Sequence, residues 1–272
     1  MKIDIEKDSL ASKEQWEEVW SSASVQSLPF DPMHRRFRDL HRLFTRTLPK
    51  AGGARLLEIG CYPGRYLWYF AKYFGCRVSG IEYIGSCCRE CRRLLAESGV
   101  AGDCEIIHAD IFDYKGPETE NGLWDVVVSF GLLEHFKGQA AVSVLEKHLE
   151  LLKPGGFLVL SVPNFQGIYG LILKNTSPTL YRIHRVMSLE AVLRELHDAA
   201  SAQGARIEIV EGGYYGRLGL NHVGILELAG KLHPVVFQAT RALVFALETA
   251  ARFLLPRTAA LSPAIAVVAR KG

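Results

Sequence analysis

The sequence predicts a doubly wound α/β fold, an open and largely parallel sheet with helices on both faces. Three observations predict it. Arg55 to Phe74 passes from a short apolar run through a glycine turn into a helical pattern. Further apolar runs, Arg77 to Glu82 and Trp124 to Phe130, alternate with helix-like segments, as strands and crossover helices do in a parallel sheet. An acid, Glu82, closes the second run. It follows the turn by about twenty residues, the spacing at which an acid meets the ribose of an adenosine cofactor.

The opening unit sets the chemistry. Leu56, Leu57 and Ile59 read as a buried strand, and Gly60, Cys61, Tyr62, Pro63 and Gly64 as a tight turn. Tyr66, Leu67, Tyr69, Phe70 and Tyr73 then recur at helical spacing. Glycines let backbone approach a ligand closely, and a helix start offers unpaired N–H groups. A dinucleotide fingerprint needs glycine where Tyr62 and Arg65 stand, and a phosphate loop needs a closing Gly-Lys-Ser/Thr. Neither is present. An acid, Glu58, precedes the turn instead, which suits a cationic ligand better than a pyrophosphate. The plain reading of the stretch is a strand, turn and helix with a solvated Glu58.

Composition frames the rest. A chain of 272 residues favours one embellished domain. A net charge of +3 gives no global argument for nucleic acid. Met1 to Asp8 alternates charged and apolar residues, unlike a signal peptide. Cys61, Cys76, Cys87, Cys88, Cys91 and Cys104 crowd one third of the chain and read as reduced thiols in a cytoplasmic protein. Cys88-x-x-Cys91 lacks a second pair and reads as structural rather than metal-binding. No metal is expected, because the histidines are dispersed and no ligand spacing stands out.

In chain order, a helix should start at Ser12, with Gln15 completing a capping box and Trp16, Val19 and Trp20 on one face. A second is expected over Pro32 to Leu48, with Met33, Phe37, Leu40, Leu43, Phe44 and Leu48 inward. After the second strand come a helix from Gly85 to Ser98 and a third strand from Cys104 towards Ile111. His108 reads as a strand residue. A fourth strand, Trp124 to Phe130, is followed by Gly131-Leu132-Leu133-Glu134-His135 and a helix from Ala140 to Leu152. Lys153-Pro154-Gly155-Gly156 turns into a fifth strand ending at Asn164. Ser188 caps a helix to Ala200, and Ile207 to Val210 is the sixth strand. Leu226 to Leu255 reads as one or two very apolar helices broken at Pro234. Arg241, Glu248 and Arg252 interrupt that run, and Pro256 ends it, so a membrane span is not expected.

Four ordered features resemble the class I S-adenosylmethionine (SAM) dependent methyltransferases. They are Glu58-x-Gly60-x-x-x-Gly64, the spaced Glu82, Asp110-Ile111 after the third strand, and Lys-Pro-Gly-Gly before the fifth. Phe130-Gly131-x-x-Glu134-His135 is similar to the small-molecule branch, the ubiquinone-type O-methyltransferases among them, and lacks the Asn/Asp-Pro-Pro-aromatic loop of nucleic-acid amino methyltransferases. The family often has a third glycine where Tyr62 stands here.

The resemblance implies a Rossmann-like, seven-stranded sheet whose last strand, over Ser262 to Arg270, is antiparallel. It implies SAM as cofactor, contacted by Glu58, Gly60, Cys61, Gly64, Glu82, Tyr83, Asp110, Ile111, Phe130 and His135. It divides the chain into an N-terminal helical cover (1–50), a SAM-binding core (51–211), a helical insertion for substrate or dimer contacts (212–260) and the final core strand (261–272). Phe165 to Arg185 would lie over the active-site mouth.

The implied reaction moves a methyl group to an oxygen or nitrogen of a small-molecule, glycan or lipid-like acceptor. His135 and His184 are the candidate bases, and the plain reading of Glu134 is a cap for the next helix. Tyr214, Tyr215, Arg217, Asn221 and His222 are candidate acceptor contacts. Packing or homodimerisation is the first expectation for the C-terminal helices, with peripheral membrane contact as the alternative. The functional alternative is a SAM-binding regulatory or scaffold protein without catalysis.

Overall fold

The computed structural model describes residues 8–21, 28–33, 37–49, 52–100, 104–116, 123–218 and 234–272. Seven strands form one sheet: β1 (Arg55–Ile59), β2 (Arg77–Glu82), β3 (Glu105–His108), β4 (Trp124–Phe130), β5 (Leu152–Pro163), β6 (Ile207–Tyr215) and β7 (Ala264–Lys271). Their order is β3-β2-β1-β4-β5-β7-β6. β1 to β5 run parallel, and β7 is antiparallel to both β5 and β6. The expected seven-stranded Rossmann-like sheet with an antiparallel last strand is therefore present. The strand order reverses between β1 and β4, and the carboxyl ends there open the crevice in which such sheets bind ligands.

Side chains alternate across the sheet and build two cores. Leu56, Val78, Val126 and Val128 face one core, with Leu43 and Phe44 of α2 (Arg38–Thr47) and Tyr69 and Phe70 of α3 (Arg65–Phe74). Leu57, Ile59, Ile81 and Val127 face the other, with Leu145 of α5 (Gly138–Glu150) and Leu196 of α8 (Leu189–Ala202). α4 (Gly85–Glu97) joins the first core through Cys88, Cys91, Leu94 and Leu95. The described cysteines are free thiols.

The capping signals form as expected. Ser12 Oγ accepts from the Gln15 amide at 3.3 Å, and Gln15 Oε1 accepts from the Ser12 amide at 2.8 Å, opening α1 (Lys13–Ser21). Ser188 Oγ accepts from the Ala191 amide at 3.2 Å and opens α8.

Three expectations need correction. The helix expected from Pro32 begins at Arg38. Asp31 Oδ1 accepts the Met33 amide at 2.8 Å, a local turn that competes with helix entry, and Met33 is exposed rather than inward. β3 stops at His108, because Asp110 Oδ1 turns the chain by accepting the Phe112 amide at 2.9 Å. β6 runs on to Tyr215, its glycines paired opposite Val267 and Ala266 of β7. The apolar segment from Pro234 to Leu254 is one helix, α9. Leu226 to His233 lie outside the described residues.

Phe165 to Arg185 forms two short helices, α6 (Ile168–Thr176) and α7 (Pro178–Arg182). Tyr169 anchors the first by donating to the Leu261 carbonyl at 2.8 Å. α9 buries Val244, Glu248 and Ala251 and leaves Val235, Leu243, Phe245, Phe253 and Leu254 exposed. Among the described residues, no helix is long and apolar enough to cross a membrane.

Candidate active site

A cavity of about 590 Å³ opens at the carboxyl ends of β1, β2, β3 and β4. Its floor is the β1 turn. Gly60 takes a φ of +73° and Gly64 one of +94°, values that favour glycine. A Cβ on Gly64 would meet Cys91 Sγ at 2.8 Å, so α4 packs against the turn only if position 64 stays bare.

Glu82 ends β2 and lines the cavity, 8% exposed. Its carboxylate accepts from the Ile84 amide at 2.9 Å and from the Tyr62 amide at 3.3 Å. Burial pushes its protonation upward, and those amides pull it back. The carboxylate is thus aimed by backbone, with acceptor capacity left for a vicinal diol. Tyr83, Asp110 and Ile111 line the same cavity.

The other predicted cofactor contacts stand behind this wall. Glu58 is 2% exposed, on the first-core face beneath the turn. Its Oε2 has no hydrogen-bond partner, and burial pushes its protonation far above the usual carboxylate range. The solvated reading of Glu58 is therefore wrong. Glu58, Cys61, Gly64 and Phe130 are absent from the cavity lining. Cys61 occupies the space above Gly80, and Phe130 stacks on Tyr66 at 3.6 Å between ring centres.

α1 covers the opening. Lys13 Nζ lies 4.9 Å above the Tyr83 ring, Trp20 meets Tyr62 edge-on at 5.1 Å, and Trp16 meets His135 at 4.5 Å. The segment before the helix is tied to the loop after β4. Leu10 N–H donates to the His135 carbonyl at 2.8 Å, and Lys137 N–H to the Asp8 carbonyl at 2.9 Å. Tyr62 and Lys13 line the cavity but lie outside the expected cofactor contacts. The turn itself was the signal for Tyr62, since its backbone amide, not its ring, holds Glu82.

At the far end of the cavity the fold gathers residues that the sequence disperses. His135 lines the cavity. His184 packs on it at 4.4 Å between ring centres. Glu134 completes the group, with a carboxylate oxygen within 4.8 Å of a ring nitrogen of each imidazole, but neither Glu134 nor His184 is part of the cavity lining.

The tautomers follow from the partners. His135 Nδ1 faces the Ile183 carbonyl at 2.6 Å, and His184 Nδ1 faces the Leu180 carbonyl at 2.6 Å. A carbonyl only accepts, so each Nδ1 carries the proton and each neutral ring keeps its lone pair on Nε2. Burial, then the His184 neighbour, pushes His135 down to about 3. Burial lowers His184 as well. Glu134 is pushed up to about 8 by burial. Its plain reading as a helix cap fails, because no side-chain cap forms at the start of α5.

The candidate acceptor contacts on β6 and just after it are packed elsewhere. Tyr215 is buried and donates to Glu211 at 2.9 Å, and Tyr214 meets Gln166 at 3.1 Å. Arg217 donates to the Leu255 carbonyl at 2.9 Å. None of the three lines the cavity. Asn221 and His222 lie outside the described residues.

A family model described as a methyltransferase domain matches residues 33–207. The chain belongs to this family and is a class I SAM-dependent methyltransferase. Solved structures share its fold at low identity. The SpnF [4+2]-cyclase is 20% identical with a TM-score of 0.58, over 85% of this chain and 80% of its own. A SAM-dependent methyltransferase from Thiobacillus denitrificans, solved with S-adenosylhomocysteine, is 17% identical with a TM-score of 0.55, over 95% and 98%. A Haemonchus contortus phosphoethanolamine N-methyltransferase, solved with SAM, is 18% identical with a TM-score of 0.55, over 86% and 52%. No curated protein matches the methyltransferase significantly in sequence. The wall formed by Gly60, Glu82, Asp110 and Ile111 fits SAM by its donor set: open backbone at the turn and carboxylates at two strand ends.

Proposed function

We propose that this methyltransferase acts on an oxygen or nitrogen of a small-molecule or lipid-like acceptor, in the manner of the small-molecule branch that Phe130-Gly131-x-x-Glu134-His135 resembles. The observation that carries the reading is one cavity with two chemically different ends. Glu82 and Asp110 stand at one end, and His135 backed by His184 at the other. Bound SAM supplies an electrophilic methyl group on a sulfonium, and its transfer leaves a neutral thioether.

The protein's own work is to hold and to exclude. Glu82 takes the ribose hydroxyls. Asp110 takes the adenine amino group, with Ile111 and Tyr83 against the ring. Trp16 and Trp20 close the opening and keep water from the reacting atoms. Holding donor and acceptor in line can supply roughly 7–11 kcal/mol of a transfer barrier. The Nε2 lone pair of His135, which lines the cavity, assists loss of the acceptor proton, and His184 backs that ring. The apolar face of α9 suits a dimer partner or a lipid surface, and neither is needed for this chemistry.

Calorimetry with SAM and S-adenosylhomocysteine tests the cofactor half. Micromolar binding is expected, weakened by about tenfold or more in Glu82→Ala, because a charge-assisted hydrogen bond contributes about 1.5–3 kcal/mol. Equal affinity in wild type and variant would move the ribose site away from Glu82. An acceptor screen with radiolabelled methyl SAM over phenols, amines, glycans and lipids then tests transfer itself.

A further inference from the structure

We propose that Arg185 is a positioning residue for methyl transfer, which sets the tautomer and the aim of His135 from outside the cavity. His135 lines the cavity and Arg185 does not, so Arg185 acts through the loop that carries the imidazole. The inference rests on the reading of His135 as the base.

The segment from Ile183 to Arg185 grips that loop residue by residue. Arg185 Nη2 donates to the Leu133 carbonyl at 3.2 Å. The Arg185 amide donates to the Glu134 carbonyl at 2.8 Å. The Ile183 carbonyl accepts from His135 Nδ1 at 2.6 Å. Leu133, Glu134 and His135 are therefore each held by one hydrogen bond from the same short segment.

The grip is anchored on α8. Arg185 Nη1 meets Glu195 Oε1 at 2.6 Å, and Nη2 meets Oε2 at 2.9 Å. Paired bonds of this kind fix the plane of a guanidinium as well as its distance. The side chains are only 21% and 13% exposed, where salt screens little. Arg185 Nε is buried without a hydrogen-bond partner. Stability alone would be served as well by an apolar side chain at such a place.

This geometry decides which nitrogen of His135 is free to take a proton. A carbonyl held opposite Nδ1 keeps the proton there and leaves the lone pair on Nε2. Trp16 and His184 pack on the ring at 4.5 and 4.4 Å between centres. Such contacts orient the ring without choosing its tautomer. A shift of about 1 Å in the Ile183 carbonyl would carry it beyond good N–H···O range and release the proton to either nitrogen.

The test reads the His135 ring in the full chain with S-adenosylhomocysteine bound, by proton–nitrogen correlation spectra of protein labelled at the histidine ring nitrogens. His135→Asn identifies the resonances. Wild type should show the Nδ1-protonated form. Arg185→Gln and Glu195→Gln should each turn His135 into a mixture of tautomers. The double variant should go no further than either single one, because each breaks the same pair. Arg185→Lys keeps the charge without the fork and should fall between wild type and Arg185→Gln. His148, whose Nδ1 bonds the Val144 carbonyl within its own helix, should keep its tautomer throughout.

An unchanged His135 ring in folded Arg185→Gln would overturn the proposal and leave His135 standing as the base. Joint changes at His135 and His148, with a lowered melting temperature and weaker cofactor binding, would assign Arg185 to the fold at large and overturn it equally. Methyl transfer that survives His135→Asn would instead sink the reading of His135 as the base, while a tautomer shift in Arg185→Gln would still establish the hold of Arg185 on the ring.

Discussion

The two ends of the cavity are built on different principles. The cofactor end is local. Gly60, Glu82 and Asp110 each sit where a strand stops. Main-chain amides two residues downstream hold both acids, Ile84 on Glu82 and Phe112 on Asp110. The acceptor end is tertiary. His135 follows β4, His184 follows α7, and Trp16 arrives from the N-terminal helix. A local device survives loss of distant packing, whereas a tertiary one depends on every element that delivers a side chain. The two ends should therefore fail under different perturbations.

The largest effect is expected behind the acceptor end. His148 is fully buried on α5. Its Nδ1 donates to the Val144 carbonyl at 2.7 Å, so its Nε2 accepts from Ser129 Oγ at 2.9 Å, just before the loop that carries His135. Burial lowers its pKa to about 4. The unfolded chain, near 6.5, binds the proton first, so stability is full above pH ~6.5 and falls towards pH ~4 by about 3 kcal/mol. Urea unfolding across that range, wild type against His148→Gln, isolates the contribution. Parallel curves for the two proteins would remove His148 from the account.

The cofactor end should break from beneath, at Gly80. A Cβ there would stand 2.5 Å from Cys61 Sγ and 2.7 Å from Cys61 Cβ. Cys61 belongs to the turn that carries the Tyr62 amide to Glu82. Gly80→Ala should cost about 1–3 kcal/mol in stability, the usual range for overpacking, and should also weaken SAM binding. Loss of stability with unchanged cofactor affinity would show that the turn moves independently of the strand below it.

This contrast explains what could be read from the chain. Glu82, Asp110, the glycine turn and the sheet order are properties of short segments, and apolar periodicity and loop chemistry report those directly. His135 and His184 are dispersed along the chain, yet they meet across forty-eight intervening residues, since α6 and α7 fold back onto the loop after β4. The misplaced start of α2 has the same origin at smaller scale. An aspartate turn at Asp31 outweighed a helical apolar pattern, and side-chain hydrogen bonds of that kind leave no mark on hydrophobic spacing. Glu58 stood in the expected motif, but its depth beneath the turn depends on which face of β1 it occupies and on what α4 packs there.

The smallest effect is expected at the junction of the two ends. Ser188 caps α8 just after His184, and its Oγ takes the Ala191 amide at 3.2 Å. Ser188→Ala removes that acceptor and should cost about 1 kcal/mol. α8 packs on α5 and on the sheet edge rather than on the turn, so cofactor affinity should stay at the wild-type value. The segment between α7 and α8 is also held by Arg185, whose amide donates to the Glu134 carbonyl at 2.8 Å and whose guanidinium pairs with Glu195 at 2.6 Å. That clamp should keep His184 against His135 when the cap is lost. Calorimetry and chemical unfolding on the same preparation decide the point. A parallel loss of stability and cofactor affinity would mean that the local end leans on the tertiary one after all.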